Sequence, residues 1–137
     1  MQIAAPKLVV ARLRPLLDNY YFRLELNPSS FNIPQHDLTT GVLSVIPIKD
    51  FPDPWYVELE MLRYKIPMRF SINPSWGNPP FVVSFKIYSY LEAPVGTHLF
   101  EILGTPGIGP RPPFGSGHGP GDDVRCPFAV RISQGDC

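Results

Sequence analysis

The sequence predicts an all-β protein built as a two-layer antiparallel sandwich, and three observations predict it. First, 18 prolines are scattered through 137 residues. Proline lacks the amide donor and clashes with the preceding helical turn, so this spacing leaves little room for helices. Second, helical spacing of apolar residues is almost absent, whereas strict apolar/polar alternation recurs along the chain. Third, the stretches between the alternating runs are full of Asn, Pro, Gly and Asp, the residues that close turns. Short strands at such spacing bury one face each and stack as two sheets.

Seven strands follow in order, at 20–27, 41–48, 55–63, 68–73, 81–88, 97–104 and 127–133. In the first, Phe22, Leu24 and Leu26 face one way, with Arg23 and Glu25 opposite. The second is apolar on both faces. The third alternates Trp55, Val57, Leu59 and Met61 with Tyr56, Glu58 and Glu60. The fourth is short. The fifth sets Phe81, Val83, Phe85 and Ile87 against Val82, Ser84, Lys86 and Tyr88. The sixth directs His98, Phe100 and Ile102 to the core, and the seventh directs Phe128, Val130 and Ile132 there. Each reads as a half-buried strand of an antiparallel sheet.

Two segments fall outside this plan. Residues 1–18 form an N-terminal extension whose KLVVARLR portion (7–14) is strand-like and apolar on both faces. Residues 105–125 form a long Gly/Pro-rich loop before the last strand, with no fixed repeat and therefore no collagen-like character. Loops of that length commonly carry recognition. The remainder, 19–137, is a single domain by size.

Bulk composition narrows the function classes. Hydrophobic residues make up 44%, enough for a packed core. Net charge is zero, which lacks the basic excess that nucleic acid asks for. No apolar run reaches membrane-spanning length. The start has no positive region followed by a clean apolar stretch and a small-residue cleavage site, so no signal peptide is visible. A cytosolic protein and a trimmed mature form both fit that start. The charged fraction of 18% is low and more typical of secreted or assembled proteins.

Four stretches, in order, carry a family resemblance. They are YYFRLELNPSSFNIP (20–34), GVLSVIPIKDFPDPWYVELEM (41–61), FSINPS (70–75) and FKIYSYLEAPVGTHLFEILGTPG (85–107). Together they resemble the immunoglobulin-like modules of bacterial and archaeal surface and secreted proteins. The last stretch is the most diagnostic: a strand, Ala-Pro-x-Gly-Thr, then an alternating strand ending in Gly-Thr. Pro94 fixes φ and Gly96 permits positive φ, so the chain can turn there into the next strand. Related modules often have Tyr where His98 stands, and His98 could bond back to the backbone through a ring nitrogen as that Tyr does. The long loop departs from the family pattern.

Signs of catalysis are sparse. GIGPRP (107–112) fails the dinucleotide fingerprint because Pro112 occupies the third glycine position. No phosphate-binding loop, nucleophile elbow or zinc-protease motif is present. His36, His98 and His118 lie in three different segments. His118, Asp122 and Asp123 could hold a cation or form a solvated turn. Cys126 and Cys137, the only thiols, could form a disulfide or stay separate, and two cysteines make no zinc site. Trp55, Trp76, Tyr20, Tyr21, Tyr56, Tyr88 and Tyr90 could build a sugar-stacking strip or pack as sheet-face residues. Asn27 and Asn73 each precede proline and make no glycosylation sequon.

The expectation is therefore a non-enzymatic protein without cofactor or metal. The resemblance implies an immunoglobulin-like structural or adhesive subunit of an extracellular or cell-surface assembly. Leu8, Val9, Val10, Ala11 and Leu13 are the candidate donated strand, which would join a neighbour's sheet and build a homo-oligomer or pilus-like filament. Pro110, Arg111, Pro112, Pro113 and Phe114 are the candidate loop contact for a protein or glycan ligand. The extra strand could equally pair within its own domain. A carbohydrate-binding accessory domain and a virion decoration or capsid-associated protein are the alternatives.

Overall fold

The computed structural model describes residues 20–51, 55–108, 117–118 (backbone only) and 121–135. All regular structure among them is strand: β1 (Phe22–Asn27), β2 (Ser30–Pro34), β3 (Asp37–Pro47), β4 (Tyr56–Met61), β5 (Met68–Asn73), β6 (Trp76–Gly77), β7 (Phe81–Ser89), β8 (Gly96–Ile108), β9 (Gly117–His118) and β10 (Val124–Ser133). They form two sheets. The first has the order β1-β3-β7-β5 and the second β2-β10-β8-β4-β6, with β9 paired to β8. Pairing is antiparallel except between β2 and β10, which run parallel from Ala129↔Ser30 to Ser133↔Pro34. The second sheet curls as a half-barrel.

Alternation decides which face of each strand is buried. Phe22 and Leu26 of β1, Leu43 and Val45 of β3, and Val83, Phe85 and Ile87 of β7 are buried on the first sheet's inner face. Phe31 and Ile33 of β2, Val57 and Leu59 of β4, Phe100 and Ile102 of β8, and Phe128, Val130 and Ile132 of β10 answer them from the second. Aromatic rings join the two layers. Phe85 meets Phe128 edge-on at 5.4 Å, and Phe70 meets Phe100 at 4.9 Å. Such pairs add about 0.5–1.5 kcal/mol each beyond the area they bury.

A polar corner fixes how the chain crosses between sheets. Ser89, the one polar side chain fully buried among the described residues, donates to the Pro34 carbonyl at 2.6 Å. It also accepts from the Asp37 amide at 3.4 Å. Gln35 donates through Nε2 to the Ala93 carbonyl at 2.7 Å and accepts from the Gly135 amide at 3.2 Å. Its own amide donates to Ser133 at 2.9 Å. Three stretches of chain, 34–37, 89–93 and 133–135, thus converge where β2 ends and β3 begins.

Several predicted elements change. The strand at 68–73 is β5 without adjustment, and the one at 81–88 gains Ser89. The strand at 20–27 starts at Phe22, the one at 41–48 starts earlier at Asp37, and the one at 55–63 contracts to Tyr56–Met61. Seven strands become ten, because β2, β6 and β9 were not foreseen. The Gly/Pro loop does not begin at 105. β8 runs on through Ile108, and β10 already starts at Val124. Proline is tolerated at position 106 because β8 has lost one neighbour there. Its register with β10 ends at Val124↔Gly104, and β9 joins only at Gly107↔His118.

Tyr56 is also corrected. It lies on the outward face as expected, yet it is buried. Its cross-strand partner is Gly107, and a Cβ there would collide with the Tyr56 ring. The ring lies over the bare glycine, with the Trp76 ring edge-on at 6.1 Å.

Candidate functional site

The expected interaction residues lie largely outside the described residues. This holds for Leu8, Val9, Val10, Ala11 and Leu13, for Pro110, Arg111, Pro112, Pro113 and Phe114, for Cys137, and for the His118 side chain. Asp122 and Asp123 are exposed. Among the described residues, no group of three or more His, Cys, Asp or Glu side chains is placed to hold a metal ion. No helix there is long and apolar enough to cross a membrane.

The corner before β8 turns at Pro94 and Gly96 as their residue types suggest, but His98, expected on the core face with Phe100 and Ile102, stays part-exposed at the start of the strand. Gly96 takes φ of 132°, a conformation that side chains resist. His98 Nε2 lies 2.7 Å from the Pro94 carbonyl oxygen. A carbonyl only accepts, so Nε2 carries the proton. The imidazole therefore ties the start of β8 to the residues just upstream.

Cys126 sits on the inner face of β10 as a free, buried thiol. Burial pushes its pKa up, and a hydrogen bond with the Leu26 backbone opposes that shift only in part. A thiol in that state is a small apolar core residue, not a nucleophile.

The aromatic residues divide among separate places and do not make a single strip. Trp55 stands edge-on to Phe51 at 6.0 Å, and Asn78 Nδ2 clamps both backbone carbonyls at 2.8 Å. Tyr21 lies under the Lys49 ammonium, 4.6 Å from the ring centre. Tyr56 and Trp76 pair on the second sheet. Tyr88 and Tyr90 come together at 5.0 Å on the outer face of the first sheet, with the His36 ring edge-on to Tyr88 at 6.1 Å.

That last group is the best-formed candidate site. Residues of β7 alternate strictly, so Lys86 and Tyr88 point outward while Phe85, Ile87 and Ser89 point in. Cross-strand pairing then sets Leu38 of β3 and Arg69 of β5 on either side of Tyr88, and Thr40 and Ser71 on either side of Lys86. Leu38, Arg69, Ser71, Lys86, Tyr88 and Tyr90 line an open cleft of about 360 Å³. Among the described residues, neither Arg69 nor Lys86 forms an ion pair. Sequence reasoning named Tyr88 and Tyr90 as candidates and set Lys86 on the face of Tyr88, but it did not bring Arg69 or His36 to them. The approach of Arg69 depends on strand register, which alternation alone does not give.

A second exposed feature lies on the other sheet. Leu99 is 81% exposed and faces Ala129 across the β8–β10 ladder, in a shallow depression with Leu62 and Pro127. Neither a protein-family model nor a curated protein matches this chain.

Proposed function

We propose that the chain is an immunoglobulin-like module that serves, without enzymatic activity, as a structural and adhesive subunit of an extracellular or cell-surface assembly. The observation that carries this reading is the strand order. Let β1 and β2 be two halves of one first strand, and let β6 and β9 be two-residue additions. The sheets then read A-B-E-D and G-F-C, with the second half of A added beside G. That order is the one expected of an immunoglobulin-type sandwich, and it supports the reading. The His98–Pro94 bond stands where such domains place a corner tyrosine bonded back to the backbone.

Sheet edges and the N-terminal sequence support the assembly reading. Among the described residues, β1 and β5 each pair on one side only, which leaves a row of backbone donors and acceptors for another chain. The sandwich already contains its own last strand, β10, so a donated strand would lengthen a sheet and would not fill a vacancy. Leu8, Val9, Val10, Ala11 and Leu13 would supply such a strand, and repeating the contact head to tail would build a filament.

A charge in the donated strand tests this. Val10→Asp should convert concentration-dependent oligomers to monomers in sedimentation velocity while leaving the melting temperature of the monomer unchanged. A monomeric wild type whose Val10→Asp variant melts markedly lower would instead place the segment in its own sandwich and overturn the proposal.

A further inference from the structure

Two cations on the outer face of the first sheet stand side by side, and among the described residues neither has an ion-pair partner. Arg69 faces Tyr88, and Lys86 faces Ser71, on the neighbouring strands β5 and β7. The two are therefore diagonal neighbours, with backbones roughly 7–8 Å apart. Like charges so placed repel, and among the described residues no acidic side chain lines the cleft they share. Beside them are two tyrosines, of which Tyr90 is 37% exposed, together with the Ser71 hydroxyl and the exposed Leu38.

We propose that this cleft binds an anionic saccharide. Its volume, about 360 Å³, lies within the range of small-ligand sites. Tyrosine rings offer an apolar face for the C–H side of a sugar and a hydroxyl for its oxygens. Arg69 offers a planar fork that matches a carboxylate or sulfate with two parallel hydrogen bonds, and Lys86 adds a point charge one register position away. A neutral sugar would leave both charges unanswered.

The cleft is also held rigid from below. His36 has φ of 60°, the left-handed region that non-glycine residues seldom adopt. Its neighbours Gln35 and Asp37 are pinned by the Ser89 and Gln35 hydrogen bonds, so the strained residue is over-determined. The His36 ring abuts Tyr88, with Nδ1 3.5 Å from the phenol oxygen, and Tyr88 in turn backs Tyr90. A supported aromatic pair loses little freedom when a ligand arrives. This inference goes beyond the assembly role and stands whether or not the chains polymerise.

The test is calorimetric titration of the full chain with three hexasaccharides of similar length. One is oligogalacturonate (carboxylate), one is heparin-derived (sulfate), and one is neutral cellohexaose. Saturable binding to either acidic probe is expected, about tenfold or more tighter than to cellohexaose, and the stronger arm identifies the anion. Arg69→Gln, Lys86→Gln and Tyr90→Ala should each weaken that binding by about tenfold, the scale of one charge-assisted hydrogen bond or one stacked ring. Lys86→Arg and Tyr90→Phe should retain it, and so should Arg131→Gln on the other sheet. No binding to either acidic probe overturns the proposal. So does equal binding of cellohexaose, or an acidic-probe affinity that Arg131→Gln lowers as much as Arg69→Gln.

Discussion

Cys126 shows how strongly one position is governed by its surroundings. Its thiol is enclosed between β10 and the β1 backbone, and burial disfavours the thiolate. A raised acid pKa in the folded state means the fold holds the proton more tightly than the unfolded chain does. The resulting stability is full below the ordinary thiol pKa and is lost as pH climbs through that value toward the raised one. Denaturation midpoints of wild type and Cys126→Ala should therefore differ by a constant amount through neutral pH. Above the ordinary thiol pKa the wild type should lose ground relative to the variant. Alkylation by iodoacetamide at neutral pH should track global unfolding. Rapid labelling of Cys126 in the native protein would show the thiol to be accessible and this account of its burial to be wrong. His98 makes the complementary case nearer the surface, where a bond to the Pro94 carbonyl ties the ring to the corner before β8.

At the scale of elements, the sheet crossing between β2 and β3 depends on Ser89. Ser89→Ala would take away the hydrogen-bond partner of both the Pro34 carbonyl and the Asp37 amide. A loss of about 1–3 kcal/mol is expected by urea denaturation. An unchanged midpoint would show the crossing to be held by Gln35 alone. The same region shows why the elements were only partly legible in the sequence. β5 and β7 could be read because Met68, Phe70 and Ile72, and Phe81, Val83, Phe85 and Ile87, recur at every second position, and Pro67 and Pro80 mark where each strand begins. β2 hid because its only signal is Phe31 and Ile33 between Pro28 and Pro34, too short to outweigh two prolines. β8 looked finished at Gly104 because Thr-Pro-Gly normally punctuates, whereas here the strand continues opposite Tyr56, Val57 and Glu58. The cleft was half legible: Tyr88 and Tyr90 are conspicuous residues and alternation sets Lys86 on the face of Tyr88, but Arg69 reaches them only through the β5–β7 register.

For the whole molecule, composition and turn chemistry were enough to predict an all-β, two-sheet body, because Pro-rich alternation leaves few other ways to bury apolar faces. Function was less legible, since a sandwich supports many roles and the residues that distinguish them sit on faces and edges. The proposed assembly rests on an apolar segment at 1–18 and on single-sided pairing at β1 and β5. Light scattering with negative-stain microscopy tests it most directly, on the full chain and on a chain lacking residues 1–18. The account predicts filaments or large oligomers from the full chain and monodisperse monomers from the shortened one. Monodisperse monomers from both would contradict it.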